Sequence, residues 1–150
     1  MIQVRISNED AEDIIKHDAM WDYLTDDGSV AREDYKIPES WMNVVGYVDE
    51  VPAAFVCVVP LNYVMADIHF GVHPDYRAMS KELGTSMLAW IWDNTEVLKL
   101  VAQTHADTVR DFALQVGFEI EGINAMSFMK NGKLIDQVYL GVKRCLQQQQ

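Results

Sequence analysis

Cysteine is scarce in this 150-residue chain: Cys57 lies inside an apolar run and Cys145 near the end. Neither stands at a metal-ligand spacing, so both read as reduced thiols, and no metal site is expected. Basic residues are scarce as well, with 12 Lys and Arg against 23 Asp and Glu and a formal net charge of −11. Such a chain is repelled by nucleic acid and by anionic membrane surfaces, which excludes both as nonspecific partners and favours a basic peptide or an amine. The opening MIQVRISNEDAED has no apolar signal core. No window approaches the roughly 18 consecutive apolar residues that a membrane span needs. A soluble, cytoplasmic protein is expected. What the chain does have is core material, 49% hydrophobic residues, enough for one domain over 1–146 and too little for a second. Residues 147–150, QQQQ, read as a polar tail.

Hydrophobic patterning gives an alternating order of elements. Ile2 to Ile6 alternates as a strand, and Ser7 or Asn8 caps a helix with an acidic first turn. From Ala19 to Pro38 a helical turn at MWDYL gives way to DDGSVAREDYKIP, an exposed segment placed to act as a lid. Trp41 to Val48 and Val51 to Val59 read as strands joined by a tight turn at Asp49-Glu50, and Val64 to Val72 follows as a third. A helix over Ser80–Asn94, a strand over Val97–Thr104 and a helix over Thr108–Val116 come next, the last ended by Gly117. Two strands, Phe118–Phe128 and Leu134–Val142, flank the hairpin signal Asn131-Gly132. The expected fold is a single-domain α/β structure with a mixed, mostly antiparallel sheet flanked by helices. Neither an internal repeat nor a domain linker interrupts it.

The segment from Val64 to Leu88 carries the strongest functional signal. A strand, a Pro-containing turn with an arginine, and then a helix place free backbone N–H groups at a helix N-terminus beside a strand end. Such amides hold phosphate groups, so the segment is a candidate nucleotide-cofactor site.

Val72-His73-Pro74-Asp75-Tyr76-Arg77 before one helix, and Val116-Gly117-Phe118-Glu119-Ile120-Glu121-Gly122 after another, resemble the GNAT N-acetyltransferase superfamily. The Asn131-Gly132 turn, Asp136 and the closing Tyr139 to Arg144 resemble the branch with ribosomal-protein N-terminal acetyltransferases and short phage-encoded relatives. The resemblance covers about Trp41 to Arg144. It implies the GNAT fold and acetyl-coenzyme A as cofactor, with the pyrophosphate held by Arg77, Ala78, Met79, Ser80, Lys81 and Glu82. The family has small residues where Ser80 and Glu82 stand, because they let backbone amides approach phosphate oxygens closely. The Ser80 hydroxyl can cap the helix or donate to phosphate, whereas the Glu82 carboxylate suits the helix dipole and repels a pyrophosphate. By the same resemblance, the amides of Phe70, Gly71 and Val72 contact the thioester oxygen and the pantetheine arm.

Acetyl transfer to an amine needs the amine deprotonated, the carbonyl polarised and the thiolate protonated. On the strand before the phosphate segment, Asp67 and His69 alternate with Ala66, Ile68 and Phe70, so both project from one face. Histidine suits proton transfer near neutrality, and Asp67 can orient it or attract a cationic amine. The competing reading is that the pair marks a solvated strand face. The acid for the thiolate is missing where the family places it: Ala113 stands at the tyrosine position, and Ala106 and Val109 replace the branch's Asn and Ser/Thr. His105 and Thr108 are adjacent substitutes or simple helix caps. Trp21, Tyr23, Tyr35 and Trp41 either line an acceptor groove or cover one sheet edge, and Glu121 reads as an ordinary strand carboxylate.

The leading functional expectation is acetyl transfer from acetyl-coenzyme A to a primary amine by direct attack. The acceptor would be a basic peptide, a protein N-terminus or a small amine. The alternatives are a catalytically silent GNAT-fold interaction protein or phage virion-associated component, in host cytoplasm or virion, and an acidic decoy for nucleic-acid-binding proteins. The final hairpin is a place where such folds pair with a second copy or a phage assembly.

Overall fold

A computed structural model of the chain describes residues 1–145, and the tail expected at 147–150 lies outside them. After β1 (Ile2–Ile6) the Ser7 hydroxyl accepts the Asp10 N–H at 3.1 Å and starts α1 (Asn8–Ile15). The next helix, α2 (Asp18–Leu24), is capped by His17, whose Nδ1 accepts the Ala19 N–H. Within the expected lid only a short 3-10 turn forms, at Arg32–Asp34. Then come β2 (Met42–Val48) and β3 (Val51–Pro60), joined through Asp49 and Glu50, both at positive φ as a two-residue primed turn requires. The remaining elements are β4 (Met65–Val72), α3 (Ser80–Asn94), β5 (Lys99–Thr104), α4 (Asp107–Gln115), β6 (Glu119–Lys130) and β7 (Lys133–Lys143). Their bounds match the sequence pattern to within one or two residues at almost every end, and the Asn131-Gly132 turn forms at positive φ as expected.

One seven-stranded sheet runs in the order β1-β2-β3-β4-β5-β7-β6, antiparallel everywhere except between β4 and β5. Its central strands are buried on both faces, which is why β2 and β3 read as nearly continuous apolar runs. Val44, Val56, Ile68 and Leu100 face Leu83, Met87 and Ile91 of α3. Val45, Tyr47, Phe55 and Cys57 face Ala11 and Ile14 of α1 and Met20 of α2 on the opposite side. Among the described residues no helix is long and apolar enough to cross a membrane.

The segment between β4 and α3 departs from expectation. Residues Pro74–Met79 form a 3-10 helix leading straight into α3. His73 drives this: its Nδ1 accepts the Asp75 N–H at 3.1 Å, its carbonyl accepts the Tyr76 N–H at 2.9 Å, and Pro74 sits at the first helical position. The Ser80 amide is bonded to the Arg77 carbonyl. These three amides are therefore satisfied internally rather than free at the helix start.

Candidate active site

The parallel pairing of β4 with β5 covers Met65–Lys99, Ala66–Leu100 and Asp67–Val101, and then stops. Beyond that point β4 stays bonded to β3 as far as Val72, and β5 stays bonded to β7 as far as Thr104. Each strand is held from its outer side while the two diverge, so a wedge opens in mid-sheet. The β5-facing backbone of Phe70 to Val72 is left without a strand partner.

Two cavities lie along this wedge and a third adjoins them. An arm of about 300 Å³ is lined by Tyr23, Phe70, Gly71, Arg77, Ser80 and Phe112, among others. A polar chamber, also about 300 Å³, is bounded by Asp67, His69, Gln103, His105, Phe128 and Gln137. A pocket of about 290 Å³ lies beyond it among Trp21, Tyr35, Trp41, Phe55, Cys57 and His69. Tyr23, Phe70 and Val109 line both arm and chamber, and Leu24 and His69 line both chamber and pocket.

Asp67 and His69 do share a face, with Nε2 of His69 3.9 Å from Oδ2 of Asp67. Burial pushes the Asp67 carboxyl above its ordinary value, and the neighbouring His69 opposes that shift. The His69 ring stacks on Trp41 at 5.3 Å. Of the residues singled out for cofactor contact, Phe70, Gly71, Val72, Arg77 and Ser80 line the arm, while Ala78, Met79, Lys81 and Glu82 do not. Glu82 is exposed and is not among the residues that line the arm. The Ser80 hydroxyl donates to the Arg77 carbonyl at 2.7 Å, which fixes the end of the 3-10 turn.

Two polar residues from other elements also enter the cleft: Tyr23, expected to line an acceptor groove or cover a sheet edge, and His105, one of the two expected substitutes for the missing acid. Tyr23 of α2 reaches over the wedge: a Cβ added to Gly71 would lie 2.6 Å from its hydroxyl oxygen, so glycine is what lets the ring approach the strand. Burial pushes the Tyr23 hydroxyl up to about 12, with the Arg77 charge opposing. His105 stacks on Phe128 at 4.4 Å and places Nε2 3.4 Å from the Tyr23 carbonyl. Neither His105 nor Thr108 caps α4, contrary to expectation; α4 begins without a side-chain cap, and the Thr104 hydroxyl accepts the Ala106 N–H instead. Ala113 is fully buried in the core under α4. The signal for Tyr23 in the sequence was its place in DAMWDYL, three residues after Met20 on the same helix face.

Other marked residues are structural. Glu121 pairs with Lys99 at 2.8 Å, lying across Gly141, where a Cβ would meet the carboxyl group at 2.7 Å. Asp136 accepts the Met126 N–H at the bulge in β6. Arg144 donates to the carbonyls of Thr95 and Val97 and ties the chain end to the loop before β5.

No protein-family model matches the chain, and no curated protein sequence matches it. Its fold is similar to that of an acetyltransferase of the GNAT family from Streptococcus pneumoniae, at TM-score 0.71 and 15% identity, over 96% of this chain and 100% of that one. It is also similar to a spermidine N-acetyltransferase from Vibrio cholerae in complex with CoA and spermine, at TM-score 0.74 and 13% identity, over 95% of each chain. A ribosomal-protein-S5-alanine acetyltransferase from Vibrio fischeri gives TM-score 0.73 at 13% identity, over 96% of this chain and 93% of that one. At such identities the likeness establishes the fold. The chain has the GNAT fold, as its motifs suggested.

Proposed function

We propose that the chain is an N-acetyltransferase that moves an acetyl group from acetyl-coenzyme A to a primary amine by direct attack. The observation that carries this is the wedge itself: one continuous cleft has a cationic end at Arg77, an unpaired strand edge along Phe70 to Val72, and a carboxylate–histidine pair at its centre. The similar structures from Vibrio cholerae and Streptococcus pneumoniae support the reading through their acetyltransferase activities and the bound CoA of the former.

The residues present fit the cofactor. Amide groups of a pantetheine arm pair naturally with an orphaned strand edge, since unpaired backbone donors and acceptors otherwise lose hydrogen bonds in a narrow cleft. Arg77 supplies the charge for a pyrophosphate, and the Ser80 hydroxyl beside it in the arm would donate to phosphate by turning from the Arg77 carbonyl. Bound there, acetyl-coenzyme A would supply an activated thioester: the ammonium ion first gives up one proton, the resulting amine nitrogen forms a bond to the acetyl carbon as the carbon–sulfur bond breaks, and the second nitrogen proton ends on the thiolate, leaving an amide and a thiol.

The protein's part is electrostatic and positional. Asp67 attracts an incoming ammonium ion, and His69, at the junction of chamber and pocket, takes its proton directly or through water. Tyr23 holds a proton on Oη throughout the neutral range. It does so in the arm itself, which Ala113, buried in the core, does not line.

The test is thermal and kinetic. Acetyl-coenzyme A should raise the melting temperature, Arg77→Ala should abolish the rise, and thiol release should depend on an added amine. The proposal fails if millimolar cofactor produces no shift.

A further inference from the structure

The pocket beyond His69 is not needed for acetyl transfer as such, since the arm and chamber already hold both reacting groups. We infer that it sets the acceptor: a primary amine carried on an aromatic or similarly broad apolar body, with the amine in the chamber and the body in the pocket. This rests on the transferase reading of the same cleft.

Size, walls and charge agree. The pocket's volume of about 290 Å³ is at the small end of the range for ligand sites, enough for one ring system with its side arm. Trp21 and Tyr35 meet edge to face at 5.5 Å on one side, Trp41 and His69 stack on the other, and fully buried Phe55 and Cys57 form the floor. Aromatic edges and faces are what an aromatic guest packs against. Carboxylates are distributed unevenly: Asp26 and Asp67 line the chamber, and none lines the pocket. A polyamine would have to leave a second ammonium group in the pocket without a counter-charge. A short alkylamine would leave the pocket unfilled. His69 and Leu24 line both compartments, so the two adjoin and a molecule with its amine beside Asp67 has the pocket next to it.

The same chemistry is offered by a free arylalkylamine and by a peptide with an aromatic first residue, so the experiment includes both. Binding of 2-phenylethylamine, a Phe-first tetrapeptide, propylamine and spermidine is measured calorimetrically and by tryptophan fluorescence, and acetylation of each is followed by thiol release. One of the two aromatic amines should bind at least tenfold more tightly than propylamine and spermidine, and which one does identifies the source. Val30 lies at the rim and is 57% exposed, so Val30→Trp fills the pocket without disturbing the core. It should weaken binding of the preferred aromatic amine at least tenfold while the variant keeps the native circular dichroism spectrum. Spermidine or propylamine binding as tightly as both aromatic amines, or an unchanged affinity in Val30→Trp, overturns the inference and leaves acetyl transfer standing. Pocket-dependent binding of an aromatic amine without acetylation of any amine overturns the transferase reading and leaves the pocket's ligand class standing.

Discussion

The Asp27 carboxylate accepts the backbone N–H groups of both Asn131 and Gly132, each at 2.8 Å, and so fastens the loop after α2 to the tip of the β6–β7 hairpin. The Asp27 N–H donates back to the Met129 carbonyl, and Lys130 donates to the carbonyls of Asp22 and Thr25. Thr25, Ser29 and Val30 of this loop line the aromatic pocket, so the hairpin tip sets how the pocket is roofed.

That clamp predicts an acid dependence. The two backbone hydrogen bonds hold the Asp27 carboxyl below its ordinary value of 3.8. A depressed folded-state value means that the stabilisation is present above the unfolded value and is lost as pH falls through the folded one. Asp27→Asn should therefore melt below the parent at pH 7, and the gap should close on acidification below 3.8. A gap independent of pH would show that the carboxylate's charge is not what holds the loop. Acceptor KM should rise in the variant with cofactor affinity little changed.

A second prediction concerns Gly71. A methyl group there would collide with the Met20 methyl and come within 2.6 Å of the Tyr23 hydroxyl, so Gly71→Ala must displace the ends of both side chains of α2. Overpacking of this kind costs about 1–3 kcal/mol, measurable by urea denaturation. Because the same movement shifts Tyr23 in the arm, the thermal shift induced by acetyl-coenzyme A should also shrink. A variant with full stability and a full cofactor response would mean that α2 does not press on the strand as described.

These two sites show where sequence reading reached its limit. Strands, turns and helices were legible because period, caps and the residues at Asp49-Glu50 and Asn131-Gly132 act locally. The resemblance named Arg77 to Glu82 as one run of cofactor contacts, yet only Arg77 and Ser80 face the arm. The cause is the 3-10 turn, in which residues three apart eclipse, so positions i and i+3 share a face and their neighbours turn away. His73 imposes that turn through side-chain and carbonyl bonds that no periodicity reveals. Tyr23 was legible only as a groove or sheet-edge residue, because its place over the arm depends on where α2 lands on β4, a tertiary contact permitted by a missing side chain at Gly71. The wedge is likewise a property of two strands together, since nothing in β4 or β5 alone marks where their pairing ends.

Alkaline titration offers a third test. Burial pushes Tyr23 and Tyr35 up to about 12, and pushes the Cys57 thiol up to about 12. These groups ionise more readily once the chain unfolds, so stability should fall as pH rises from the ordinary values of 9 and 10 toward 12. Burial and a hydrogen bond to Asp10 raise Tyr47 as well, so absorbance at high pH should show three of the six tyrosines titrating late. At pH 8 a thiol reagent should modify exposed Cys145 rapidly and buried Cys57 only after denaturation. Equal native reactivity of the two thiols would show that the pocket floor is open to solvent.

The strongest discrimination between a catalytic and a merely structural Asp67 comes from opposite effects in one variant. Burial raises the Asp67 carboxyl, so the folded chain holds that proton to a higher pH than the unfolded chain does. Stability is then lost as pH rises from the ordinary value through the raised one, and at neutrality the ionised group is a cost to folding. Asp67→Asn removes the charge at nearly constant shape and should raise the melting temperature at pH 7. If Asp67 attracts the acceptor amine and orients His69, turnover should fall on the order of a hundredfold in the same variant, with cofactor binding little changed. His69→Ala should lose turnover to a similar extent, and its effect should not add to that of Asp67→Asn, because the two side chains act on one proton. A structural role predicts loss of both stability and turnover in Asp67→Asn. Undiminished turnover in both variants would remove this strand face from the mechanism, and additive losses would separate the pair into independent functions.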